Sequence, residues 1–171
     1  MLWCTGMVIP FALFVVALGA RILTGALFID PGYPDSFYYV NVARELAAGN
    51  GFQVDFIWNF VETGGVLPAA AVLPIPSNAH WMPLASLVQV PFIGLLGPTS
   101  LASALPFWLA SAAVAPVTYW IGRDASMPHW QAAAAGLMVA VPALVDPFLA
   151  QPDNFGLFML LCTLSLWACA R

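Results

Sequence analysis

Charge is what this sequence lacks most. Charged residues make up 7% of the 171 positions, and the four basic ones are all arginines, so the chain has no lysine. A soluble domain carries about 25% charged residues, and nucleic-acid-binding surfaces are rich in lysine and arginine. This deficit argues against a nucleic-acid partner. Together with a hydrophobic content of 62%, it predicts an integral membrane protein in contact with the lipid bilayer.

Cysteines and common catalytic motifs are also scarce. Cys4, Cys162 and Cys169 lie in apolar stretches without metal-ligand spacing, so no disulfide framework is indicated. Neither GxSxG nor HExxH occurs, which removes the usual signatures of serine hydrolases and zinc proteases. The first apolar run is long and has no basic region before it, which indicates an uncleaved membrane anchor rather than a signal peptide.

The apolar runs predict an all-α fold with about four transmembrane helices. Crossing the hydrocarbon core takes about 20 apolar residues. A further stretch, 83–97, is too short to cross comfortably and contains Gln89 and Pro91. The stretches that qualify as spans are 7–28, 100–121, 130–145 with its flanks, and 155–170.

The positive-inside rule favours one topology. If 83–97 only dips into the bilayer, Arg123 and Arg171 lie on the same side as the N-terminus, and both Asp35 and Asp153 lie on the other side. If it crosses, the membrane separates the two aspartates. The first arrangement predicts an inner (plasma) membrane protein with a cytoplasmic N-terminus and a long outer loop over about 29–100.

The outer loop carries an amphipathic helix, predicted over 36–48 and of the type that lies in the membrane interface. Its apolar positions recur with the helical period. Asp35 in the string PDSF is a candidate N-cap, and the string GNG at 49–51 ends the helix. Asp153 in PDNF repeats the start signal before another helix. The apolar residues on the predicted buried face are Tyr39, Val42, Ala43 and Leu46.

The two Pro-Asp strings have two readings. In the first interpretation both aspartates are helix caps. In the second they face a common cavity at the membrane surface. In the cavity they would share a cation, or one would act as a general base. Capping does not explain why the outer-loop helix is rich in tyrosine, so Tyr38 and Tyr39 are candidate substrate contacts.

An ordered set of motifs resembles a known family. Arg21 late in the first span, Asp35 in the outer loop, the string ELAAGNGF, HWMPL at 80–84 and LLG before the next span follow one another. This order is similar to the start of the GT-C superfamily of membrane glycosyltransferases. The likeness is to bacterial relatives of dolichyl-phosphate-mannose protein mannosyltransferases and lipid A aminoarabinose transferases, and it covers 21–171.

The resemblance implies inverting transfer of a sugar from a polyprenyl-phosphate donor to a lipid, glycan or protein acceptor. Asp35 would be the catalytic base or would help to hold a divalent metal, and Asp153 would be the acidic residue of the next outer loop. Ser36 follows Asp35 where protein mannosyltransferases have glutamate, which favours the bacterial lipid-linked relatives. Family enzymes are several times longer. The chain 1–171 is therefore expected to be one N-terminal transmembrane unit, completed by a missing C-terminal part or a further chain.

The remaining candidates are basic residues. Arg21 would pair with Asp30 or Asp35, or contact the donor phosphate, because a lone charge in a span is costly. Arg44 would lie on a solvated helix face, pair with Asp35 or Glu45, or attract the lipid phosphate. His80, beside Trp81, would orient an acceptor, bind a metal or simply lie at the interface.

Three further interpretations remain. Asp146 is the rival of Asp153, unless it simply ends the third span. A transporter is disfavoured, because the spans lack charges apart from Arg21. A non-catalytic membrane scaffold or partner subunit is the alternative function.

Overall fold

The computed structural model describes residues 2–28, 30–57, 73–77 and 81–171. These residues form two compact units: unit 1 falls within Met1–Phe28 and Phe107–Arg171, and unit 2 within Ile29–Pro106. The fold is mostly helical, as expected, with one small antiparallel ribbon in unit 2. The elements are α1 Leu2–Leu27, α2 Pro34–Ala47, β1 Gln53–Val54, β2 Ile75–Pro76, α3 Leu84–Leu87, α4 Val90–Leu96, α5 Ser100–Asp124, α6 His129–Ala140, a 3₁₀ turn Ala143–Val145, α7 Asp146–Leu149 and α8 Asn154–Cys169.

Three helical stretches in the described residues are long and apolar enough to cross a membrane: Gly6–Leu27, Ser100–Asp124 and His129–Leu149. The predicted count of about four is therefore not reproduced. The fourth predicted span is α8, which has 16 residues; at ~1.5 Å per residue it is about 24 Å long, less than the ~30 Å of the hydrocarbon core. The doubtful stretch forms the two short helices of Leu84–Leu96.

In unit 1, α1 runs antiparallel to α5. Arg21 contacts Ser111, and one turn further along α1 Gly25 lies against the Trp108 ring, one turn earlier in α5. Helix α6 is also antiparallel to α5 and packs closely against it: a Cβ at Gly136 would lie 3.0 Å from the carbonyl oxygen of Ala115. Small residues at such crossings let apolar helices approach closely.

The C-terminal ends of α5 and α8 are in contact in unit 1. Trp167 donates its indole N–H to Asp124 over 2.8 Å, and Arg171 pairs with the same carboxylate at 2.8 Å. Since Arg123 is the neighbour of Asp124, Arg123 and Arg171 lie at the same end of unit 1. Two predicted spans separate these arginines, so the arrangement is expected whether 83–97 dips or crosses, and the topology stays a prediction.

The third predicted span is interrupted. Helix α6 ends at Ala140, and the chain turns through Val141 and Pro142 before the 3₁₀ turn and α7 begin. Pro142 has no N–H to continue the ladder of helical hydrogen bonds. Ala143 has φ 48°, in the left-handed region. The span is therefore two helical pieces joined by a bend.

Unit 2 is built on α2, whose buried face includes the predicted Tyr39, Val42 and Ala43, while Leu46 is half-buried. The helix starts two residues earlier than predicted. Asp35 is not its N-cap: Tyr33 takes that position and Pro34 opens the first turn, where proline's fixed φ is favourable.

The predicted C-terminal stop of α2 is confirmed. Asn50 donates its N–H to the Glu45 carbonyl over 2.9 Å, and Gly49 donates to the Leu46 carbonyl over 3.1 Å. Gly49 has φ 84°. This pattern of two reversed hydrogen bonds with a left-handed glycine is a Schellman motif.

Candidate functional site

The candidate site of unit 2 is a cavity of about 370 Å³ beside α2. It has apolar walls and a polar rim with one basic and one acidic side chain, a composition typical of ligand sites. The lining residues are Asp30, Pro31, Phe37, Val40, Asn41, Arg44 and Phe56.

The spacing of α2 places three of these residues together. Phe37, Asn41 and Arg44 stand at i, i+4 and i+7 and therefore share one face. The Asn41 side chain is held by Asp55, whose backbone N–H donates to the Asn41 Oδ1 over 2.9 Å. Asp30, another lining residue, accepts a hydrogen bond from the Ser100 hydroxyl over 2.8 Å. The polar rim is thus braced by hydrogen bonds.

Arg44 supplies the positive charge of this cavity. Its side chain is exposed, and among the described residues it forms no ion pair. Arg44 and Glu45 do not form an ion pair, and the Glu45 carboxylate accepts from the Asn50 amide over 2.7 Å. Arg44 lies in the last turn of α2, where the helix dipole favours a cation. The guanidinium is available to an anionic ligand.

A second cavity of about 460 Å³ adjoins the first and shares Phe37 and Phe56 with it. Gly32, Tyr33 and Pro34 complete its lining. One end of this composite groove is therefore apolar and the other carries Arg44. A ligand with a hydrophobic tail and an anionic head matches both ends.

Asp35, the predicted catalytic residue, stands half-buried in the first turn of α2. Nine residues separate it from Arg44, which places the two about half a turn apart around the helix and roughly 13 Å apart along it. The proposed Asp35–Arg44 ion pair is not formed. Asp35 is outside the lining of Arg44's cavity.

Tyr38 and Tyr39 are both fully buried. The Tyr38 hydroxyl lies 2.6 Å from the Ser77 hydroxyl, at the end of β2. The Tyr39 ring makes an edge-to-face contact with the Trp81 ring at 6.3 Å between centroids. Both tyrosines belong to the interior of unit 2, and their role as substrate contacts stays a prediction.

The buried polar centre of unit 1 is built on Arg21, which is 0% exposed. Its guanidinium forms an ion pair with the Asp146 carboxylate, and its Nε donates to the Ser111 hydroxyl over 3.2 Å. Thr24, one turn along α1, donates to the other oxygen of Asp146. A charge pair buried in this way is stable only when its hydrogen bonds are largely satisfied.

The acid that neutralises Arg21 is therefore Asp146, not Asp30 or Asp35. The sequence contained a usable signal, because Asp146 lies within the apolar stretch His129–Leu149. Charged side chains in apolar helices pair with one another, so two such charges in different stretches are natural partners.

Arg21 also closes the bend in the third span. It donates to the carbonyl oxygen of Ala140 over 3.3 Å, at the end of α6, while its partner Asp146 begins α7. A cation at a helix C-terminus satisfies carbonyls that lack helical partners. One side chain of α1 thus holds both pieces of the interrupted span.

The segment after the bend is fixed to α5 and α1. Trp108 donates its indole N–H to the Ala150 carbonyl over 2.7 Å, and the Gln151 amide donates to the Phe28 carbonyl over 3.4 Å. Asp153 follows, 4% exposed, and its carboxylate accepts from the backbone N–H of Asn154 as the N-cap of α8. The capping reading is correct for Asp153.

The remaining predictions about site residues concern Asp35, Asp153 and His80. Asp35 belongs to unit 2 and Asp153 to unit 1, so their common cavity stays a prediction. His80 lies outside the described residues. Within the described parts of the chain, no group of three His, Cys, Asp or Glu side chains is arranged to hold a metal ion.

Comparisons with known proteins give no assignment. No protein-family model matches the chain, and no curated protein or solved structure matches it. A functional proposal therefore rests on the residues themselves and on the geometry of the two units.

Proposed function

We propose that this chain is the N-terminal membrane part of a glycosyltransferase that uses a polyprenyl-phosphate-linked sugar. The acceptor is a lipid, glycan or protein at the outer face of the plasma membrane. The observation that carries the proposal is Arg44, an exposed guanidinium without an ion pair among the described residues. It lines a cavity whose neighbour is apolar. Arginine forms strong bidentate hydrogen bonds with phosphate.

The proposed chemistry is an inverting displacement. The acceptor oxygen attacks the anomeric carbon, the bond from that carbon to the phosphate oxygen breaks, and the polyprenyl phosphate leaves with the electron pair. Asp35 takes the acceptor proton. Arg44 holds the phosphate of the lipid carrier in the cavity beside α2. Because it lies about half a turn around the helix from Asp35, its contact is assigned to donor binding and not to the displacement step. No step is assigned to a metal.

Lipid-phosphate binding by the chain tests the role of Arg44. Undecaprenyl phosphate is titrated into the chain in nanodiscs, and binding is compared for Arg44→Gln and for Arg171→Gln, an exposed arginine paired with Asp124. Losing a hydrogen bond to a charged group costs about 1.5–3 kcal/mol, so we expect at least about tenfold weaker binding for Arg44→Gln alone. Equal binding by both variants would contradict the phosphate assignment.

Sugar transfer by a complete enzyme carrying this segment tests Asp35. We expect Asp35→Asn to abolish transfer of radiolabelled sugar from the lipid carrier while membrane insertion and expression remain normal. Glu45→Gln, on the same helix, is the control and keeps activity. If Asp35→Asn instead prevents folding, the residue is structural.

The scaffold alternative is favoured by the buried positions of four predicted site residues. Arg21, Tyr38, Tyr39 and Asp153 are each at most 4% exposed and contribute to the interior of their units. A scaffold would show no binding of undecaprenyl phosphate and no loss of function with Asp35→Asn. The scaffold would retain its association with a partner subunit in the Arg44→Gln and Asp35→Asn variants.

A further inference from the structure

The two short helices of Leu84–Leu96 expose apolar side chains and bury polar ones, which is the reverse of the pattern in a water-soluble helix. Leu84, Leu87, Leu95 and Leu96 are 43%, 43%, 84% and 53% exposed, respectively. Ser86 and Gln89 are 0% exposed, and the Ser86 hydroxyl and the Gln89 Oε1 have no hydrogen-bond partner among the described atoms. In water, apolar side chains are buried and amides are exposed. The outer surface of this segment is therefore suited to an apolar solvent.

The sequence around this segment also indicates an apolar environment. Positions 63–122 contain no Asp, Glu, Lys or Arg, a run far too long for a surface in contact with water. After Leu96, only three residues precede Ser100, where a stretch long and apolar enough to cross the membrane begins. Continuity of the chain thus places the leucines beside the bilayer.

The segment is too short to cross. Its 13 residues rise at most about 20 Å at ~1.5 Å per residue, and the helix is interrupted between Leu87 and Val90. That length is enough to enter roughly one leaflet of a bilayer whose hydrocarbon core is ~30 Å thick. A non-crossing segment at this depth is acceptable where its irregular backbone is covered by protein.

We propose that Leu84–Leu96 is a membrane anchor immersed in one leaflet, with lipid acyl chains covering its leucine face. The polar face points into unit 2, where the Gln89 amide donates to the Tyr39 carbonyl of α2 over 3.3 Å and to the Ala85 carbonyl over 2.8 Å. Ile93 of the anchor packs with Ala43 of α2. The anchor therefore fixes the depth of α2 at the bilayer surface. This proposal is independent of sugar transfer.

Depth measurements in liposomes test the immersion. Spin labels are attached to single cysteines at Leu87, Leu95 and the exposed Ala48, after Cys4, Cys162 and Cys169 are replaced by alanine. We expect the two leucine positions to relax strongly with oxygen and weakly with a water-soluble nickel complex, and Ala48 to show the reverse. If Leu95 behaves like Ala48, the anchor is not immersed and the proposal fails.

Sidedness separates dipping from crossing. In the same cysteine-free background, Met82→Cys and Thr99→Cys are exposed to a membrane-impermeant thiol reagent in sealed, oriented vesicles. A dipping anchor is labelled at both positions from the same side. Labelling from opposite sides would overturn the proposal. Both substitutions are at exposed positions, so neither result depends on disturbing the core.

Discussion

The two units use their polar side chains in opposite ways. Unit 1 buries a full ion pair, Arg21 with Asp146, and surrounds it with hydroxyl groups. Unit 2 leaves the Arg44 guanidinium at the rim of a cavity and buries neutral polar groups such as Gln89. A charge that is enclosed and neutralised holds helices together, whereas an exposed charge beside a cavity is free for a ligand. Unit 1 is thus the structural part of the comparison and unit 2 the candidate binding part.

The largest expected effect comes from splitting the ion pair of unit 1. Arg21→Met leaves the Asp146 carboxylate buried without its cation, which typically costs about 3–5 kcal/mol. The double variant Arg21→Met with Asp146→Leu should recover most of this loss, because it removes both charges. The measurement is the free energy of unfolding in mixed micelles. A single variant as stable as the parent would show that the pair is dispensable.

Helix spacing in unit 1 gives the next largest effect. Gly136→Ala places a methyl group 2.6 Å from the Leu13 Cδ1 and 3.0 Å from the Ala115 carbonyl oxygen, and overpacking of this kind costs about 1–3 kcal/mol. Gly19→Ala in α1 is the matched control, because its Cβ would meet nothing within 4 Å. Thermal unfolding of the two variants in detergent measures the difference. Equal melting temperatures would contradict the close contact of α6 with its neighbours.

The smallest expected effect is the loss of stability on replacing the aspartate of either Pro-Asp string with alanine. Asp153→Ala removes an N-cap and should cost about 1 kcal/mol. Asp35→Ala removes only a favourable charge in the first turn of α2, worth about 0.3–1 kcal/mol at low ionic strength. Added salt should therefore reduce the loss of stability caused by Asp35→Ala and leave the loss caused by Asp153→Ala unchanged. Chemical denaturation at low and high salt measures both. The same salt dependence for both variants would mean that the two aspartates have the same role.

Local signals predicted the local parts of the fold. The helix α2 and its end followed from a helical period and from the glycines after Ala48. Its first turn was misjudged because Asp35 is a good N-cap residue, yet Pro34 takes the first helical position and moves the cap to Tyr33. The apolar runs marked the helices. The third span was wrongly predicted as continuous, because the break at Pro142 was not used as a signal.

Pairings across the chain were harder to predict. Arg21 was expected to find an acid, but its partner Asp146 is 125 positions away, and nearer aspartates were plausible. Burial of Tyr38 and Tyr39 depends on the distant Ser77 and Trp81. The cavity of Arg44 needs walls from Asp30 and Phe56. Such features depend on packing that no single stretch of sequence specifies.

The distance of 125 residues between Arg21 and Asp146 also has a consequence for biosynthesis. At a synthesis rate of about 5–20 residues per second, the partner of Arg21 emerges roughly 6 to 25 seconds after it. An apolar helix that enters a membrane during that interval carries an unneutralised arginine, which costs up to about 2.5–3.5 kcal/mol. The neutralising partner of Arg21 becomes available only when the ribosome has delivered the third apolar stretch.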